Sequence, residues 1–169
     1  MSHVRISYET FQKSAPGAQA ALLAMGKSTE ESGLDKTIVE LAKLRASQIN
    51  NCAFCLQIHL NVSRRLGLPQ EKLDLVAASP HAGLFSDKAW GALPSAEPLT
   101  RLDGRSVPDE AYESVRRHFS EDEVIALSVA VANINAWNRL GAAFRFAPPI
   151  PNKAAASKGD SFFLGSNHG

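Results

Sequence analysis

The residues best equipped for chemistry fall in one stretch, Cys52-Ala53-Phe54-Cys55-Leu56-Gln57-Ile58-His59. It holds both cysteines of the chain and one of its five histidines. On a helix, positions 52, 55 and 59 lie on one stripe, because i, i+3 and i+7 share a face. Val62 and Leu66 continue that stripe as apolar residues. The two thiols and the imidazole therefore point the same way, toward the core or a pocket in it. Asn50 and Asn51 are natural N-cap residues for this helix, which puts Cys52 in its first turn. Unpaired backbone N–H groups and the positive end of the helix dipole favour a thiolate there. His59 follows Cys55 by one turn, within reach of its sulfur. A thiol with a base beside it and a second thiol close by is equipped for redox chemistry.

The helix that must precede this stretch supplies a carboxylate. Asp35 can cap a helix running to about Ile49, in which Ile38, Val39, Leu41, Ala42, Leu44, Ala46 and Ile49 leave little polar face. A helix apolar on most sides is a buried one, so Glu40 stands among Val39, Leu41 and Leu44. Burial is expected to raise its pKa and fit it to shuttle a proton. The plainer reading pairs it with Lys43 or with Arg45, the other charge this helix must accommodate.

Two further readings of the cysteines stay open on spacing alone. Free cysteine often behaves as a small buried hydrophobe. Two thiolates, His59 and Glu40 could also ligate zinc, although structural zinc sites usually pair two separate ligand clusters rather than one helical stripe. A c-type haem is excluded, because Leu56 rather than histidine follows the second cysteine. His3, His81, His118 and His168 lack comparable company and read as surface residues, whereas Trp90, Trp137 and most phenylalanines read as packing.

The remaining elements are helical, and the expected class is all-α. Residues 1 to 14 read as a polar, irregular arm. Pro16 opens a helix that fades near Ser32-Gly33. Gly67 and Leu68-Pro69 end the cysteine helix, and Pro69 begins a short helix through Leu73 and Val76. Residues 79 to 83 read as a loop. Ser86 caps a helix from Asp87 whose pattern Pro94 and Pro98 cut. Pro108 opens a helix to about His118. Ser120 with Glu123 forms a capping box for a long apolar helix, Val124 to Leu140. From Pro148 to Gly169, Pro, Gly, Ser and Asn dominate, which reads as an extended or mobile tail after one domain of residues 1–147.

At 169 residues, with 44% hydrophobic and 21% charged residues, the chain has the length and composition of one soluble globular domain. A net charge of +1 without a basic block gives no electrostatic reason for a nucleic-acid or membrane partner. No apolar run approaches the ~20 residues of a membrane span. Met1 to Lys13 lacks the apolar core of a signal peptide, so a cytoplasmic location is expected. In that reducing compartment a CxxC pair is more often catalytic or metal-binding than a structural staple.

Glu40, then Arg45-Ala46-Ser47-Gln48-Ile49-Asn50-Asn51-Cys52-Ala53-Phe54-Cys55, His59 and Gly67, closely resemble the E…CxxCxxxH motif of the AhpD-like alkylhydroperoxidase family. This family lies within the carboxymuconolactone decarboxylase superfamily. Asn133-Ile134-Asn135-Ala136-Trp137-Asn138-Arg139 and Phe144-Arg145 resemble its C-terminal signature, so the likeness spans roughly residues 20 to 147. It implies an all-helical fold assembling as a homotrimer or homohexamer, and a peroxide substrate reset by an external dithiol, with no cofactor and no metal. It implies that Cys55 attacks the peroxide, that Cys52 resolves, and that His59 and Glu40 form a proton relay. The chain departs from the pattern at Phe54, where well-described peroxidase members carry a second histidine. A general disulfide oxidoreductase and a non-enzymatic oligomeric redox sensor are the alternatives.

Overall fold

The computed structural model describes residues 3–151, among which all regular structure is helical. In chain order the helices are α1 (Tyr8–Ser14), α2 (Pro16–Glu31), α3 (Lys36–Ile49), α4 (Ala53–Arg65), α5 (Gln70–Asp74), a 3₁₀ turn (Val76–Ala78), α6 (Ser79–Ala82), α7 (Asp87–Thr100), α8 (Asp109–Arg116) and α9 (Glu121–Phe144). The tail expected beyond Pro148 lies mostly outside the described residues. No described helix is long and apolar enough to cross a membrane.

The apolar pattern of α3 decides the architecture. Ile38, Val39, Leu41, Ala42, Leu44 and Ala46 are all buried, so α3 needs cover on every side. It packs against α4, α7 and α9, while α2 lies along α9. Asp35 caps α3 through the Thr37 amide, and Ser120 and Glu123 form the expected capping box at the start of α9.

Several expectations are corrected. The arm before Pro16 contains α1, capped by Ser7 and docked through buried Phe11 on Trp137, Phe144 and Phe146. Residues 79–82 form a helical turn rather than a loop, ended by Gly83 in the left-handed region at φ 63°. Helix α7 continues through Pro94 and Pro98 to Thr100. A helix-interior proline costs about 3 kcal/mol. Pro94 sits on the solvent side, while Ala92, Leu93 and Ala96 are buried in the core, and that burial outweighs the lost hydrogen bonds. Trp90 is exposed rather than packed inside, and half-buried His118 lies against it and against Gly91.

Candidate active site

The turn joining α3 to α4 sets the first half of the site. Asn50 is the C-cap of α3 and Asn51 takes the left-handed conformation at φ 51°, which asparagine tolerates better than most residues. The Asn51 amide donates to the Gln48 carbonyl and the Cys52 amide to the Ser47 carbonyl at 3.0 Å, the paired bonds of a Schellman ending. The two asparagines therefore close α3, and the expectation that they cap α4 is corrected. Cys52 itself is the N-cap: its Sγ accepts the Cys55 backbone N–H at 3.3 Å. The sulfur thus takes the position where a side-chain oxygen normally satisfies the first turn.

Cys52 and Cys55 are both reduced and buried. The Cys55 thiol, hydrogen-bonded to Cys52, lowers the Cys52 pKa to about 7 against the opposing effect of burial; the Cys55 N–H and the Asn138 amide add to the lowering. The Cys55 thiol is pushed up, because it donates to Cys52, is buried and faces the charge that forms there. The pair therefore loses its first proton with the charge resting on Cys52.

Glu40, His59 and Lys43 form a second cluster. The Glu40 carboxylate is only 6% exposed, bonded to His59 Nδ1 at 2.7 Å through Oε2 and to Lys43 Nζ at 3.1 Å through Oε1. Burial was expected to raise its pKa, and the reverse holds. Burial does push the value up, but His59 first and Lys43 second pull it down further, to about 2. Two hydrogen-bonding partners on one carboxylate outweigh its desolvation. An ionised carboxylate only accepts, so His59 Nδ1 carries a proton and Nε2 is the nitrogen left for proton exchange. Arg45 does not join this cluster; it pairs with Glu97 of α7.

The sequence motif thus resolves into two neighbouring pairs across α3 and α4. Among the described residues no cluster of three His, Cys, Asp or Glu side chains is arranged to hold a metal ion. A groove of about 230 Å³ beside Leu41, Leu68 and Ala89 contains none of these four residues.

Two site neighbours come from α9. A Cβ built on Gly141 would lie 2.7 Å from Cys52 Sγ, so the absence of a side chain there makes room for the sulfur. Asn138 is fully buried and joins Ser47 and Asn50 by hydrogen bonds. In the sequence Asn138 appears only within the C-terminal signature, and nothing marks Gly141. An aromatic cover of Tyr8, Phe54 and Phe146 completes the surroundings, with ring centroids 5.1–5.4 Å apart.

Residues 16–98 match the carboxymuconolactone decarboxylase family. The uncharacterised Bacillus subtilis protein YdfG is 33% identical over 139 residues, covering 82% of this chain and 92% of its own. A solved structure from Agrobacterium tumefaciens, a protein of unknown function and candidate antioxidant defence protein AhpD, is 34% identical. It superposes with a TM-score of 0.81 over 88% of this chain and 99% of its own. A peroxidase-related protein from Ralstonia eutropha with an alkylhydroperoxidase AhpD core shares the fold, with a TM-score of 0.73 at 19% identity over 86% of this chain and 76% of its own.

Proposed function

The chain belongs to the carboxymuconolactone decarboxylase superfamily, in its AhpD-like group, and on that premise we propose that it is a CxxC thiol peroxidase reducing alkyl or hydrogen peroxides. The observation that carries the reading is a buried, reduced dithiol ionising near 7, on the helix whose histidine is tied to an ionised carboxylate.

The resting pair holds a Cys52 thiolate and a Cys55 thiol that share one proton. Its transfer to Cys52 frees the Cys55 thiolate, which attacks the peroxide O–O bond. Cys55 becomes a sulfenic acid and the departing alkoxide takes a proton from His59 Nε2 or from water. Glu40, ionised and fixed by Lys43, orients His59 through its Nδ1. Cys52 then attacks the sulfenic sulfur; its own proton and the sulfenic hydroxyl leave as water, and a disulfide remains. An external dithiol returns the two electrons and two protons by exchange. The charge resting on Cys52 favours a second reading of the roles, in which Cys52 attacks and Cys55 resolves.

Large exposed apolar side chains, among them Trp90, Leu102, Tyr112 and Ile125, support self-association, and the family resemblance makes the assembly a homotrimer or homohexamer. The same reading takes residues 1–147 as one domain, with 148–169 as its tail.

Stopped-flow peroxide consumption and dimedone trapping on Cys52→Ser and Cys55→Ser test the assignment. The Cys52 variant is expected to react with one equivalent and then hold a sulfenic acid at position 55. Label at position 52 in the Cys55 variant, with none at position 55 in the Cys52 variant, exchanges the roles. If neither variant is labelled and Glu40→Gln is fully active, the peroxidase reading falls.

A further inference from the structure

We propose that Asn138 of α9 is a third member of the dithiol site, its side-chain amide donating a hydrogen bond to the sulfurs and holding the thiolate the pair forms. The inference deepens the reading above by adding a residue to its site, but it is tested without peroxide.

Its first support is the course of α9. Gly141 stands against both sulfurs, its virtual Cβ 2.7 Å from Cys52 Sγ and 3.5 Å from Cys55 Sγ. Asn138 lies three residues earlier, on the same helix face, and is 1% exposed. The second support is that its amide can point only one way. Asn50 Nδ2 donates to Asn138 Oδ1 at 2.8 Å and to Asn135 Oδ1 at 2.7 Å. Asn135 in turn is tied to Thr100 at 3.2 Å. With its oxygen occupied, Asn138 presents its NH₂ group to Ser47 Oγ, at 3.1 Å. That group carries two hydrogens, and the second is left for the sulfurs, in line with the lowering that Asn138 exerts on both thiols. A donor aimed at a buried sulfur favours the anion over the thiol. In these apolar surroundings the thiolate has few other donors: the Cys55 N–H, the Phe54 N–H and the Cys55 thiol.

The reduced protein is titrated by thiolate absorbance near 240 nm and by the pH dependence of iodoacetamide alkylation, in wild type, Asn138→Ala, Asn138→Asp and Ser47→Ala. Aspartate keeps the bond from Asn50 and can accept from the Ser47 hydroxyl. It faces the sulfurs with a carboxylate, which removes the donor and adds a negative charge, both against the thiolate, so this variant keeps the proposal testable where alanine unfolds the protein. Tyr8 on α1, Glu40 and Lys43 on α3, and His59 on α4 are the same in every variant.

The expected result is an alkylation rate at pH 7 about tenfold lower in Asn138→Ala, the size of one hydrogen bond to a charged group. It should be lower still in Asn138→Asp, with Ser47→Ala close to wild type. An unchanged midpoint in folded Asn138→Asp overturns the proposal. So does an equal shift in Ser47→Ala, which would make the effect one of packing rather than donation. Because no peroxide enters the measurement, a protein that titrates as expected yet reduces no peroxide would retain Asn138 as donor and lose the peroxidase reading.

Discussion

Two buried pairs, one turn of helix apart on α4, meet the same low-dielectric surroundings in opposite ways. Glu40 and His59 are held with a buried lysine, and the carboxylate stays charged because two partners face it. Cys52 and Cys55 sit among Phe11, Phe54, Ile134 and Phe146, and among the described residues no cation is bonded to them. There the charge is shared between two sulfurs and tuned by neutral donors. Burial alone does not set the ionisation of a group; the partners brought into the buried volume do. The charged pair is suited to stay ionised while it orients a proton, whereas the dithiol is suited to change charge near neutrality.

The comparison breaks if the charged pair is not needed. His59→Ala and Glu40→Gln are expected to slow peroxide reduction by about 10²–10⁴-fold, the usual range for a general acid–base group, with the helical circular dichroism retained. Full activity in both variants would reduce the cluster to a structural ion pair.

Glu40→Gln also leaves Lys43 buried without its counter-charge, which costs about 3–5 kcal/mol. The pH dependence has a definite sign. The folded-state pKa of Glu40, about 2, lies below its ordinary 4.5. Its ionisation therefore contributes stability that is fully present above 4.5 and is lost as pH falls toward 2. Urea unfolding of wild type and Glu40→Gln should show a gap that narrows across that window. A gap that stays constant would mean that charge at position 40 is not what stabilises the site.

A milder probe addresses the dithiol side. Gly141→Ala places a methyl group 2.7 Å from Cys52 Sγ, and overpacking of this kind costs about 1–3 kcal/mol. Because the strain falls on the sulfur, disulfide formation should change together with stability. A thermal shift with unaltered oxidation kinetics would show that α9 yields rather than the cysteine. The smallest effect lies outside both pairs. Ser120→Ala removes the capping box of α9 and should cost about 1 kcal/mol, measurable by urea unfolding, with activity unchanged.

The sequence carries the α3–α4 half of the site because its chemistry is local. Glu40, Cys52, Cys55 and His59 fall at helical spacings within two consecutive helices, and the apolar run of α3 announces its burial. The sign of the Glu40 shift was not legible, since it depends on which residue meets which carboxylate oxygen. Lys43 was one of two candidates, and Arg45 instead reaches across to α7. Asn50 and Asn51 read equally well as a cap for α4 or an ending for α3; only the left-handed Asn51 decides. Asn138 and Gly141 lie far along the chain, and a glycine in a helix gives no sign of the sulfur it accommodates. Helix α1 leaves little mark in the sequence because its seven residues bury a single side chain, Phe11, against partners from the other end of the described chain.

The central claim is that Cys52 and Cys55 act as one two-electron dithiol toward peroxide. Its most direct test adds one equivalent of alkyl hydroperoxide to the reduced protein, counts the remaining thiols and weighs the intact chain. The account predicts loss of both thiols, a mass lower by two hydrogens, a peptide cross-linked between positions 52 and 55, and full recovery with a dithiol. Two titratable thiols persisting in folded protein after the hydroperoxide would contradict it.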